Sequence, residues 1–103
     1  GMYGRATSFA YTSHYSNLFR HDCEPQPLAD GSSVGQLLLA RVCRGRVEKH
    51  AASNKELKKP GVGYHCIEGP VTTTGTLAVM TYDLNQAYPA YIVSYVVPPG
   101  TKH

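Results

Sequence analysis

The sequence predicts an α+β fold: mostly antiparallel β-sheet with one short helix. Three observations carry this. Apolar, β-branched and aromatic residues gather in separate runs at 36–47, 76–82 and 91–97. A single stretch, 7–19, spaces its apolar residues as one helical face does. Between these runs lie clusters of Gly, Pro, Asp and Ser that break regular structure. The length of 103 residues suits one small domain. A hydrophobic share of 42% against 17% charged residues is that of a folded chain, not a disordered one.

Residues 1–6 read as a short strand or turn. In 7–19, Tyr11, Tyr15, Leu18 and Phe19 fall at i, i+4, i+7 and i+8, with Thr7 or Ser8 as the cap. Residues 20–35 carry Pro25, Pro27, Asp30 and Gly31 and read as loop. The 36–47 strand is built on Leu37, Leu38, Leu39, Val42 and Val47. Residues 48–63 are polar and basic, with Lys55, Lys58 and Lys59, and read as an exposed connection. Residues 64–67 read as a short strand that Gly69-Pro70 breaks. The 76–82 and 91–97 runs, joined through 83–89, read as neighbouring antiparallel strands. Pro98-Pro99-Gly100 ends the fold, which places one domain at 1–97 and a tail at 98–103. No internal repeat is present.

The net charge of +3 is mild; it serves solubility, or assists an anionic ligand, and is too sparse for a nucleic-acid-binding face. No apolar run is long enough for a membrane-spanning helix, and no leader of the secretory kind opens the chain. Cys23, Cys43 and Cys66 have no paired spacing, which makes a disulfide framework unexpected and fits a reducing intracellular compartment. Cys43 and Cys66 read as buried small hydrophobes. His21 and Cys23 are two ligands where a closed zinc site needs four, and no metal is expected.

Five segments, in order, carry a family resemblance. Gln86-Ala87-Tyr88-Pro89-Ala90-Tyr91-Ile92-Val93-Ser94-Tyr95 resembles the QAYPEYLITY ending of the poly(ADP-ribose) polymerase catalytic domain. Gly63-Tyr64-His65-Cys66-Ile67-Glu68-Gly69 is similar to a further segment of that family, and Leu38 to Val47 to its FLARVLLGR strand. Gly1-Met2-Tyr3 resembles the start of a family strand in which Phe-Ala follows the tyrosine; here Gly4-Arg5 follows. Tyr11-Thr12-Ser13-His14-Tyr15 resembles its Tyr-Ser-x-x-Tyr helix.

The resemblance implies a partial ADP-ribosyltransferase fold, a split antiparallel sheet with a cleft for NAD. It implies a reaction in which nicotinamide leaves and ADP-ribose passes to an acceptor protein through an oxocarbenium-like transition state. It assigns Tyr15 as the ring that stacks on nicotinamide and Thr12 as the hydroxyl bonding its amide, with Ser8 and Ser13 as alternatives in a shifted register. It assigns Tyr3 to the tyrosine of the His-Tyr-Glu triad. Taken without the resemblance, Tyr11 and Tyr15 fit a core stripe and Thr12 an ordinary helix position.

Two departures weaken catalysis. The family's His-Gly strand is expected upstream of Gly1, and none of His14, His21, His50 and His65 precedes a glycine. The triad glutamate falls on Ala78, whose methyl can neither bond a ribose hydroxyl nor polarise an acceptor; Glu68, the nearest acid, belongs to a different segment. The expectation is an NAD-dependent protein ADP-ribosyltransferase domain of the single-unit kind, without turnover as this chain. The alternative is a non-catalytic remnant that binds a protein or a nucleotide. A third possibility, an unrelated small β domain, would use the Lys55 to Lys59 stretch as its contact surface.

Overall fold

A computed structural model describes residues 1–23 and 28–99. The fold is α+β, with mostly antiparallel strands in two sheets and one short helix. By its contacts the chain forms two compact units. The first joins Gly1–Tyr11 to Val42–Tyr88; the second joins Thr12–Arg41 to the segment from Pro89 onward.

The first unit holds a four-stranded sheet in the order β1-β6-β5-β4, with β1 at Thr7–Ala10, β4 at Val47–Lys49, β5 at Cys66–Pro70 and β6 at Leu77–Thr81. β6 runs antiparallel to both β1 and β5. β4 and β5 are parallel. Parallel neighbours need a long crossover, and the polar 50–65 segment supplies it. β5 and β6 need only a tight return, which Gly75 makes at φ 88°. There the Val71 N–H donates to the Thr76 carbonyl at 2.8 Å.

Register fixes which side chains form the core. Ile67 faces Met80, and Ala78 lies between Gly69 and Ala10. Residues directly opposite one another share a face. Tyr3, Ile67, Ala78 and Met80 make the buried cluster, flanked by Ala6, Leu57, Val71 and Tyr82. The opposite face of the same strands carries Phe9, Glu68 and Val79.

The second unit contains α1 at Ser13–Ser16, a 3₁₀ turn at Asn17–Phe19, β2 at His21–Asp22 and most of β3 at Ser33–Val42 and β7 at Ala87–Val97, whose residues Val42, Ala87 and Tyr88 count with the first unit. The three strands form a sheet in the order β2-β3-β7. β2 and β3 are antiparallel. The Gln36 amide donates to the Ser94 hydroxyl at 3.1 Å. Asp30 shapes the turn into β3 by accepting from the Ser32 N–H at 2.9 Å.

Several sequence expectations are corrected. The 7–19 stretch is not one helix: 7–10 is β1, paired with β6, and the helix is the four residues of α1. Neither Thr7 nor Ser8 is a cap; Thr12 takes that position with extended backbone. The 36–47 run divides, because Gly45 turns the chain at φ 57° between β3 and β4. Within 20–35, His21–Asp22 and the residues from Ser33 are strand; Pro25 and Pro27 lie outside the described residues. Glu48, expected in an exposed connection, is a half-buried residue of β4. Gly69 and Pro70 do not break β5 but complete it. β6 and β7 are not neighbours; they belong to different sheets. The reason lies in the linker, where Asp83 and Gln86 form a capping box around the 3₁₀ turn Leu84–Gln86 and redirect the chain. Cys66 is buried as expected, whereas Cys43 is exposed. Gly100 and the tail 101–103 lie outside the described residues.

Candidate functional site

Two of the four positions assigned by resemblance meet in the first unit. Tyr3 is 2% exposed and Ala78 is 1% exposed, both within the core cluster. The Tyr3 hydroxyl donates to the Pro70 carbonyl at 2.8 Å, and the Tyr3 carbonyl accepts from the Tyr82 hydroxyl at 2.5 Å. The ring stands edge-on to His50, with centroids 6.3 Å apart. Burial raises the Tyr3 phenol above its ordinary value, so it stays protonated and serves as a donor. Close approach of the Tyr3 phenol to β5 requires Gly69, because a Cβ there would overlap the phenol oxygen.

The other two positions belong to the second unit. Thr12 is exposed at the start of α1, and its side chain makes no capping hydrogen bond. Tyr15 is half-buried and packs on Phe19, ring centroids 5.5 Å apart at 58°. Ser13 and His14, the residues between them, line a cleft of about 480 Å³ with Leu37, Val93 and Tyr95. Of the positions assigned by the resemblance, only Ser13, the shifted-register alternative, is among the described residues that border this cleft. In the same unit the Tyr95 hydroxyl donates to Asn17 Oδ1. Ser8, the other alternative, lies exposed on β1, opposite Met80.

Three features of the first unit were not legible in the sequence. Glu68 Oε2 accepts from the Tyr11 hydroxyl at 2.7 Å, and Arg44 Nη1 donates to that same hydroxyl at 2.7 Å. The guanidinium carbon stands 5.7 Å from the Tyr11 ring centroid. Burial, then the Glu68 hydrogen bond, raises the Tyr11 phenol, with Arg44 opposing. The nearby Cys66 thiol is pushed up by burial, which keeps it a neutral core group and not a nucleophile.

The second feature is a polar clasp. Glu48 Oε1 lies 2.6 Å from His50 Nε2, and Oε2 accepts from the Gly61 N–H at 3.2 Å. The third is a cleft of about 540 Å³ bounded by Lys58, Lys59, Tyr64, His65, Tyr82 and Gln86. Gln86 braces it: its Nε2 donates to the carbonyls of His65 and Cys43 at 2.7 and 3.2 Å.

Among the described residues, no group of three or more His, Cys, Asp or Glu side chains is placed to hold a metal ion. His21 and Cys23 are both exposed. No described helix is long and apolar enough to cross a membrane. No family model matches the sequence, and no curated protein matches it.

Proposed function

We propose that this chain is an ADP-ribosyltransferase-type domain, of the kind whose parent would transfer single ADP-ribose units from NAD to an acceptor protein, and that the chain itself does not turn NAD over. The observation that carries the second part is Ala78. At the position of the triad glutamate stands a methyl group that is 1% exposed and packed between β1 and β5. Ribose polarisation needs a charged or hydrogen-bonding group aimed at the reacting sugar. Here that position contributes only apolar packing.

Tyr3 favours the same conclusion. Its hydroxyl is spent on the Pro70 carbonyl, and its ring fills the space above Gly69. The triad tyrosine thus acts as a core residue. This supports the second reading, a non-catalytic module that keeps the scaffold and binds without transferring.

The test is nicotinamide release from NAD by the purified 103-residue chain, with the intact mass followed for added ADP-ribose. No release above the buffer rate and no mass increase are expected. Sustained release that disappears in Tyr15→Ala would overturn the proposal.

A further inference from the structure

We infer that the first unit carries a binding site for a nucleoside monophosphate in the cleft bounded by Lys58, Lys59, Tyr64, His65 and Gln86. The inference is independent of the ADP-ribosyltransferase reading, because it uses none of Tyr3, Thr12, Tyr15 and Ala78.

The volume, about 540 Å³, falls within the usual range for small-molecule sites. Its walls are set by hydrogen bonds. Gln86 Nε2 bonds two carbonyls, and Gln86 Oε1 takes the Asp83 N–H at 3.4 Å, so this amide is occupied as a brace. His65 Nδ1 accepts the Arg46 N–H at 2.8 Å. The neutral ring therefore carries its proton on Nε2, which makes that nitrogen a donor. Gly45 permits this seat for the ring, since a Cβ at Gly45 would overlap it.

The polar groups at the cleft are unequal. Lys58 and Lys59 are exposed, and neither forms an ion pair among the described residues. Asp83 is the single acid among the described residues of the wall, and its Oδ1 already accepts the Asn85 N–H at 2.8 Å. Cationic donors are thus in surplus over acceptors, which selects an anion. Two lysines match the charge of about −2 on a phosphate monoester near neutrality. Asp83 counts against the longer run of charge in a di- or triphosphate. Two tyrosines also line the cleft: Tyr64, which is 41% exposed, and Tyr82. A flat base stacks on such a ring without sequence-specific contacts.

The experiment is a titration of the full chain, followed by backbone amide NMR, with adenosine 5′-monophosphate, adenosine and inorganic phosphate as separate probes. The monophosphate is expected to give saturable shifts at Tyr64, His65 and Gly61. Adenosine and phosphate are each expected to bind at least about tenfold more weakly, since each lacks half of the contacts. The Lys58→Gln/Lys59→Gln variant is expected to weaken the monophosphate by about tenfold. Because a variant can fail to fold, the wild-type affinity is also measured against salt and is expected to fall as salt rises. No saturable shift at these amides overturns the inference. So does adenosine or phosphate binding as tightly as the monophosphate, or an affinity indifferent to salt.

Discussion

Tyr3 and Gly69 fit as ring and seat: the phenol of Tyr3 lies over the bare Cα of Gly69 and donates to the carbonyl of the next residue, Pro70. The contact ties the N-terminal segment to β5, 66 residues further along the chain. Because Gly69 pairs with Ala78 in the sheet, the same contact also packs the small core.

Gly69→Ala should therefore destabilise by about 2–3 kcal/mol, the usual cost of forcing a group into a filled core. Tyr3→Phe should cost about 1 kcal/mol through the lost hydrogen bond. The double variant should be less damaged than the sum, because removing the phenol oxygen relieves the closest of the three overlaps with the new methyl, while those with two ring carbons stay. Urea melts of the four proteins check this. Strict additivity would show that the two residues are not in contact.

Ala78→Glu should not confer NAD turnover on this chain. The position is fully buried, and an unpaired carboxylate there costs several kcal/mol or forces the core open. The expected outcome is a thermal midpoint lowered by more than about 10 °C, with nicotinamide release unchanged at the buffer level. A folded variant that gains turnover would mean that Ala78 faces a ribose site and not the core.

Glu48 predicts an acid-sensitive clasp. The hydrogen bond from His50 holds its carboxyl below the ordinary 4.5, with partial desolvation opposing and the Gly61 N–H assisting. A carboxyl lowered on folding adds stability above its unfolded value, and that stability is lost as pH falls through the folded value. Glu48→Gln should thus be less stable than the wild type near neutrality, and the two should converge near ~pH 3. Urea midpoints at the two pH values decide it; a gap that persists in acid would assign the effect to packing.

How far the sequence reveals this molecule depends on whether a contact is local. The runs around Leu37–Leu39, at 76–82 and at 91–97 announce themselves as strands, because β-branched and aromatic residues cluster there without helical spacing. Thr7–Ala10 does not, because its tyrosine-rich continuation mimics a helical stripe while its hydrogen bonds go to β6, some 70 residues away. The same holds for Gly69: next to Pro70 it resembles a strand breaker, and only the distant Tyr3 ring explains it. Of the candidate site, only the proposal of Tyr3 and Ala78 as site positions is legible in the sequence, through motif order. Their burial is not, since it depends on β1, β5 and β6 assembling together. The Tyr11–Arg44–Glu68 cluster draws on three separated segments and leaves no local mark at all.

Thr12 offers a sharp contrast with a working helix cap. It occupies the cap position of α1, yet its hydroxyl makes no bond to the helix N–H groups. A functioning threonine cap is worth about 1 kcal/mol, whereas an idle one is worth almost nothing. Thr12→Ala is expected to change stability by less than about 0.5 kcal/mol. A loss above about 1 kcal/mol in a urea melt would show that the hydroxyl is engaged in solution.

Gln86 is the most informative residue of the motif that carries the resemblance, because its structural work is visible. One amide group joins Cys43, His65 and Asp83, segments up to 43 residues apart. Gln86→Glu keeps the shape but removes both N–H donors and sets a carboxylate against two carbonyl oxygens. It should therefore be worse than Gln86→Ala, which only leaves those carbonyls to water. The expected costs are about 1–2 kcal/mol for alanine and about 2–3 kcal/mol for glutamate. Amide exchange at Cys43, whose N–H donates to the Gln86 carbonyl at 2.6 Å, should quicken in both. If glutamate is tolerated as well as glutamine, the brace is not what holds these segments, and the walls of the adjoining cleft must be set by something else.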